Sequence, residues 1–160
     1  MLYVICRNIR SRENVGSLFR TADAFGVGKI FLTGFTPTPP HEKISKTALG
    51  AENFVPWEKI FSTARLIKKL RAEGFEIVAL EQSRKSIDIG GYRLKKKIAL
   101  IVGNEVSGIP QAILKQCDCV IEIPMRGKKE SLNVAVAFGV GAYVMSQRNK
   151  GSKSYKSKNS

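Results

Sequence analysis

The chain is expected to adopt an α/β fold, a mainly parallel sheet flanked by helices. Three observations predict it. Short apolar runs alternate with segments of helical period along most of the sequence. One run, Ile98 to Val102, is apolar without interruption, as strands covered on both faces are. The length of 160 residues suits one domain able to bury a sizeable core.

Taken in order, Leu2 to Cys6 reads as the first strand. Glu13 to Phe25 carries Val15, Leu18, Phe19, Ala22 and Phe25 on one stripe near the 3.6-residue period, which predicts a helix. Gly26 to Gly28 ends it, and Lys29 to Thr33 is a second strand. Residues 34–41 hold three prolines and form a loop. Lys43 to Gly50 is a short helical turn or an ordered loop. Ser62 suits the N-cap of a helix carrying Ala64, Leu66, Ile67 and Leu70, which Gly74 stops. Phe75 to Leu80 and Ile98 to Val102 are strands, Pro110 starts a short helix, and Val120 to Ile123 is the last strand. Ser131 is expected to open the final helix, about Leu132 to Gln147. That helix is apolar nearly all round, so it must be covered on several sides, by the core and by a second subunit. Gly139 and Gly141 each cost about 1 kcal/mol inside a helix relative to alanine, a cost that close helix–helix approach would explain.

Composition narrows the function classes. Formal net charge is +14 with a pI near 10.0. Arg148, Lys150, Lys153, Lys156 and Lys158 account for five of those charges, so residues 1–147 keep +9. A body this basic favours a polyanionic partner, RNA or DNA. Residues 1–148 are expected to form the folded domain and 149–160 a basic, disordered tail. Three cysteines without metal-like spacing (Cys6, Cys117, Cys119) read as reduced thiols, and the single histidine, His41, excludes histidine triads and histidine-rich metal sites. No apolar run approaches a membrane span, so a cytoplasmic protein without membrane or metal partners is the expectation.

Ligands of parallel sheets bind beyond the carboxyl ends of strands. Three ends look equipped for it: Leu80 to Ser83 with Glu81 and Gln82, Gly103 to Glu105 with Asn104, and Ile123 to Met125. Asn14, Ser17 and Arg20 fan across the polar half of the first helix, and the Arg20 guanidinium suits a phosphate or a sugar hydroxyl. Read alone, each stretch has a bland alternative: a solvated helix face for Arg20, a tight turn for residues 103–108, a helix cap for Ser131 and a surface residue for Asn133.

Together the stretches resemble the three signature motifs of the SpoU/TrmH family of RNA 2′-O-ribose methyltransferases, within the SPOUT superfamily. The first spans Asn14 to Gly26 with Asn14 and Arg20 in place, the second Leu100 to Gly108 with Glu105, and the third Ile123 to Met125 followed by Ser131, Leu132 and Asn133. Lys43 to Glu52 looks like the linker of TrmH-like members. Ala135 stands where many members carry serine. The resemblance covers about residues 2–148 and looks like a minimal catalytic domain, without the N-terminal RNA-binding domain or the long terminal helices of some relatives.

The resemblance implies a C-terminal trefoil knot over about residues 98–148, S-adenosylmethionine as cofactor, a homodimer, and tRNA or rRNA as substrate. It places the cofactor against Leu80, Glu81, Gly103, Asn104, Glu105, Ile123, Met125, Ser131 and Leu132. The catalytic set carried over is Arg20, from the other subunit, with Asn14 and Glu105 fixing its setting and Ser131 and Asn133 supporting the site. Transfer in line to the ribose oxygen makes positioning the main source of rate. A guanidinium stays protonated, so Arg20 is expected to clamp phosphate and stabilise the developing oxyanion rather than act as a base. A different class stays open: a non-catalytic RNA-binding or ribosome-associated module of the same fold. Methylation at a base nitrogen is a weaker rival.

Overall fold

In the computed structural model, which describes residues 1–147, the chain runs β1 (Leu2–Arg7), α1 (Arg12–Ala24), β2 (Lys29–Thr33), α2 (Glu42–Ala48), β3 (Trp57–Ile60), α3 (Thr63–Ala72), β4 (Glu76–Leu80), β5 (Ile87–Asp88), β6 (Ile98–Val102), α4 (Gln111–Leu114), β7 (Cys119–Glu122) and α5 (Val134–Ser146). The strands form one sheet in the order β3-β2-β1-β6-β4-β7-β5, and every pair is parallel. All carboxyl ends therefore lie on one edge. β6 sits between β1 and β4, with Leu100 opposite both Val4 and Val78. Each of its five residues is buried, as its unbroken apolar sequence demands.

The pleat sends alternate residues to two cores. Val4, Cys6, Leu100 and Val102 pack with Phe19 of α1 and Phe138 of α5 on one face. Ile5, Ile77, Ala99 and Ile101 pack with Leu66, Ile67 and Leu70 of α3 and Ile113 of α4 on the other. α1 is the central helix of its layer, touching both α2 and α5. Gly16 sets the α2 contact: a Cβ there would lie 2.0 Å from Thr47 Oγ1 and 2.3 Å from the Ile44 carbonyl oxygen. Thr47 Oγ1 donates in turn to the Glu13 carbonyl at 2.8 Å.

Several expectations hold: Ser62 caps α3, accepting from Arg65 N at 3.3 Å, Gly26 and Gly74 end helices at positive φ, and Lys43 to Gly50 is largely helical α2. Others need correction. The final helix starts at Val134, just after the expected Leu132, and its cap is Asn133 rather than Ser131. Asn133 Oδ1 accepts from Ala135 N at 2.8 Å and Val136 N at 3.4 Å, whereas Ser131 stays in the preceding loop. A Cβ on Gly141 would lie 3.3 Å from Leu100 Cδ2 and 3.4 Å from Leu80 Cδ2, so there α5 closes on the sheet rather than on another helix, whereas a Cβ on Gly139 would meet Thr21 of α1 at 3.9 Å. Strands β3 and β5 were absent from the sequence-based expectation. The basic tail, 149–160, lies outside the described residues.

Candidate active site

A cleft of about 650 Å³ opens at the carboxyl ends of β4, β6 and β7. Its walls include all three strand-end segments singled out above. Leu80, Glu81, Gly103, Asn104, Glu105, Ile123, Met125, Ser131, Leu132 and Asn133 all line it. Gln82, from the Leu80–Ser83 strand end, lines it too, as do Ile109 and Leu114, to which the sequence assigned no role. The signal for Ile109 was available: an apolar residue between a glycine and the proline that opens α4.

The loop after β6 is shaped by its own side chains. Asn104 Oδ1 accepts from Val106 N and Ser107 N, both at 2.9 Å, while its Nδ2 donates to the Asn8 carbonyl at 2.8 Å. The Glu81 carboxylate accepts from Ile109 N and Gln82 N at 2.9 Å each, locking the ends of β4 and β6 together. Glycine is required at 108 twice over. Its φ is +64°, and a Cβ would come within 2.4 Å of Glu81 Oε2. At 103, a Cβ would meet the Gly108 carbonyl carbon at 2.7 Å. Glu81 and Asn104 thus shape the cleft wall with side chains already engaged. Gln82 Nε2 donates to the Glu130 carbonyl at 2.7 Å and holds the segment after β7 over the cleft.

At the rim, a hydrogen-bond chain joins all three motifs. The Glu105 carboxylate accepts from Arg10 N at 2.9 Å and Ser11 N at 3.0 Å, the backbone amides leading into α1, and from Asn14 Nδ2 at 2.9 Å. Asn14 Oδ1 accepts from Asn133 Nδ2 at 3.2 Å. Partial burial pushes the Glu105 pKa up, but the bonds from Ser11, Arg10 and Asn14 outweigh it and hold the pKa below the usual carboxylate value. A carboxylate at the start of α1 is further favoured by the helix dipole.

Arg20 stands apart. It is exposed on the outward ridge of α1 with Glu13 and Ser17, does not line the cleft, and makes no ion pair among the described residues. Beside that ridge, α5 turns out Val136 and Tyr143, each 53% exposed, with Val140 between them. Tyr143 meets Phe25 of α1 edge-on at 6.0 Å. No cluster of His, Cys, Asp and Glu able to hold a metal occurs among the described residues.

A parallel α/β domain with its cleft beyond the carboxyl ends of central strands is the build of a nucleotide-type ligand-binding protein. The chain belongs to the SpoU rRNA methylase family, whose family model matches residues 1–143. It is 32% identical over 141 residues to an uncharacterised tRNA/rRNA methyltransferase of Archaeoglobus fulgidus, covering 88% of this chain and 62% of that protein. Identity is also 32%, over 143 residues, to the tRNA (guanosine(18)-2′-O)-methyltransferase of Aquifex aeolicus, covering 89% and 67%. The AdoMet-bound rRNA methyltransferase of Sinorhizobium meliloti superposes with a TM-score of 0.86 at 30% identity, covering 93% of this chain and 56% of that one. The chain spans 62%, 9% and 55% of the first three curated relatives. A structure described by the 2-OH methylation of C/U34 on tRNA superposes at 0.83 with 26% identity, and there 97% of the other chain is covered.

Proposed function

We propose that this chain is an S-adenosylmethionine-dependent RNA methyltransferase that modifies a ribose 2′-hydroxyl of tRNA or rRNA. One observation carries the reading: the cleft bears at its rim the Glu105–Asn14–Asn133 chain, which unites the three motifs of the family. The names of the relatives, tRNA and rRNA 2′-O-methyltransferases, support it.

The cleft fits the cofactor. Its volume lies within the range of small-molecule sites, and Leu80, Ile123, Leu132 and Val134 offer apolar contact for a nucleoside base. Loop backbone from residues 103–109 and 123–132 supplies peptide groups to its polar edges. When bound, S-adenosylmethionine supplies an activated methyl group. The protein's task is then to present a ribose oxygen. Arg20, always protonated, holds an adjacent phosphate and stabilises negative charge growing on the 2′-oxygen. Glu105 and Asn14 fix the start of the helix that carries Arg20, and Asn133 fixes that helix against α5.

Because Arg20 is exposed and does not line its own cleft, the reading includes a homodimer in which each subunit lends Arg20 to its partner. The outward Val136, Val140 and Tyr143 stripe on α5, beside Arg20, supports such a face. A trefoil knot over the C-terminal part belongs to the same proposal. The insertion of β6 between β1 and β4, and the Gln82 bond to Glu130, are consistent with it. So does a cytoplasmic setting, supported by the three free cysteines.

The test is incubation of the purified chain with tRNA and rRNA transcripts and methyl-labelled S-adenosylmethionine, followed by nucleoside analysis. The expected product is a 2′-O-methylnucleoside, with most turnover lost in Arg20→Lys. A base-methylated nucleoside would point to the base-nitrogen chemistry instead. RNA binding without any methylated product would favour the non-catalytic module.

A further inference from the structure

We propose that Phe35 and Phe61 form a stacking platform for unpaired bases of the RNA substrate, on the same edge as the cleft; the inference rests on the reading of the chain as an RNA-modifying protein. Phe61 is 84% exposed and Phe35 61% exposed, and they stand just past the carboxyl ends of β3 and β2. Large aromatic rings left in water at the functional edge of a sheet lose burial energy that a stacked base would recover.

The rings are presented from a fixed frame. Lys59 Nζ donates to the carbonyls of Gly34 at 2.7 Å and Thr36 at 2.6 Å, and lies 5.9 Å from the Phe61 ring centroid. It therefore binds the Phe35 loop to the strand that ends in Phe61. Phe35 N donates to Asn8 Oδ1 at 3.1 Å, and the Asn8 carbonyl accepts from Asn104 Nδ2 at 2.8 Å. Asn8, held at a φ of 53°, thus bridges the platform loop to the loop that walls the cleft. β3 and β6 are three strand spacings apart, about 14 Å, a gap that a few nucleotides of single-stranded RNA span. Arg10 and Arg12, exposed at the start of α1 on this edge, offer cations for the intervening phosphates. The charge of the body, +9, matches a polyanion rather than an apolar protein partner.

The experiment uses the full chain, fluorescein-labelled oligouridylate as an unstructured probe, and a blunt RNA duplex as control. Phe35→Ala and Phe61→Ala should each weaken oligouridylate binding about tenfold. Duplex binding and S-adenosylhomocysteine binding should stay unchanged, and F35Y with F61W should restore the affinity. Equal oligouridylate affinity in wild type and the alanine variants would overturn the inference while leaving the methyltransferase reading intact. A change in the sedimentation of the RNA-free protein would also overturn it, marking the face as a contact between copies. Failure of wild type to bind either RNA would overturn the inference together with the reading on which it rests.

Discussion

Asn133 Nδ2 donates to Asn14 Oδ1 at 3.2 Å, and neither amide is free to turn. Asn133 Oδ1 is held by the first amides of α5, so its nitrogen must face Asn14. Asn14 must then aim its own nitrogen at Glu105 Oε1, 2.9 Å away. The polarity of the chain runs one way, from the cap of α5 through α1 to the loop after β6.

That polarity makes Asn14→Asp informative. Aspartate in the first turn of a helix is ordinarily favourable. Here it sets a carboxylate against Glu105, so N14D should have a lower Tm than N14A at pH 7. Protonation of the pair relieves the repulsion, so the gap should narrow toward about pH 4. Thermal melts across that range decide it; an N14D as stable as wild type at pH 7 would contradict the chain.

Glu105 gives a second pH signature. Its folded-state pKa is depressed, so its stabilising contribution is fully present above the unfolded carboxylate value, about 4.3. It is lost as pH falls through the lower folded value. Glu105→Gln should therefore be less stable than wild type at neutral pH, with a difference that shrinks on acidification. A difference independent of pH would assign Glu105 no such role.

Gly108→Ala tests the loop wall. Left-handed φ costs an alanine about 1–2 kcal/mol, and the new Cβ would press on Glu81 Oε2, 2.4 Å away. A lower Tm and weakened S-adenosylhomocysteine binding are expected; unchanged binding would detach this loop from the site.

The outward stripe of α5 predicts the oligomer. Tyr143→Arg or Val136→Asp, at half-exposed positions, should leave the monomer folded yet shift sedimentation to the monomer and abolish turnover. Turnover by a monomeric variant would remove the need for Arg20 from a partner.

Much of this was legible in the residues because local physics matched the fold. The stripe on α1, the unbroken β6 and the caps at Ser62 and Gly74 all rest on short-range periodicity and sterics. β3 escaped because this edge strand places Glu58 and Lys59 among its four residues, so no apolar alternation marks it. β5 is only two residues long, both exposed. Ser131 suggested a cap by residue type, but capping depends on which oxygen reaches the first amides, and that is Asn133. The bonds from Asn104 to Asn8 and from Glu105 to residues 10–14 span more than ninety residues of sequence. Each follows from the placement of β6 beside β1, a tertiary fact that no local pattern encodes.

The most direct test is calorimetric titration of the purified protein with S-adenosylhomocysteine, the product expected to remain after methyl transfer. One molecule should bind per chain, with binding lost when the loops at Gly103 or Ile123 are altered. A folded protein that shows no binding at ligand concentrations reaching the millimolar range would contradict the proposed function.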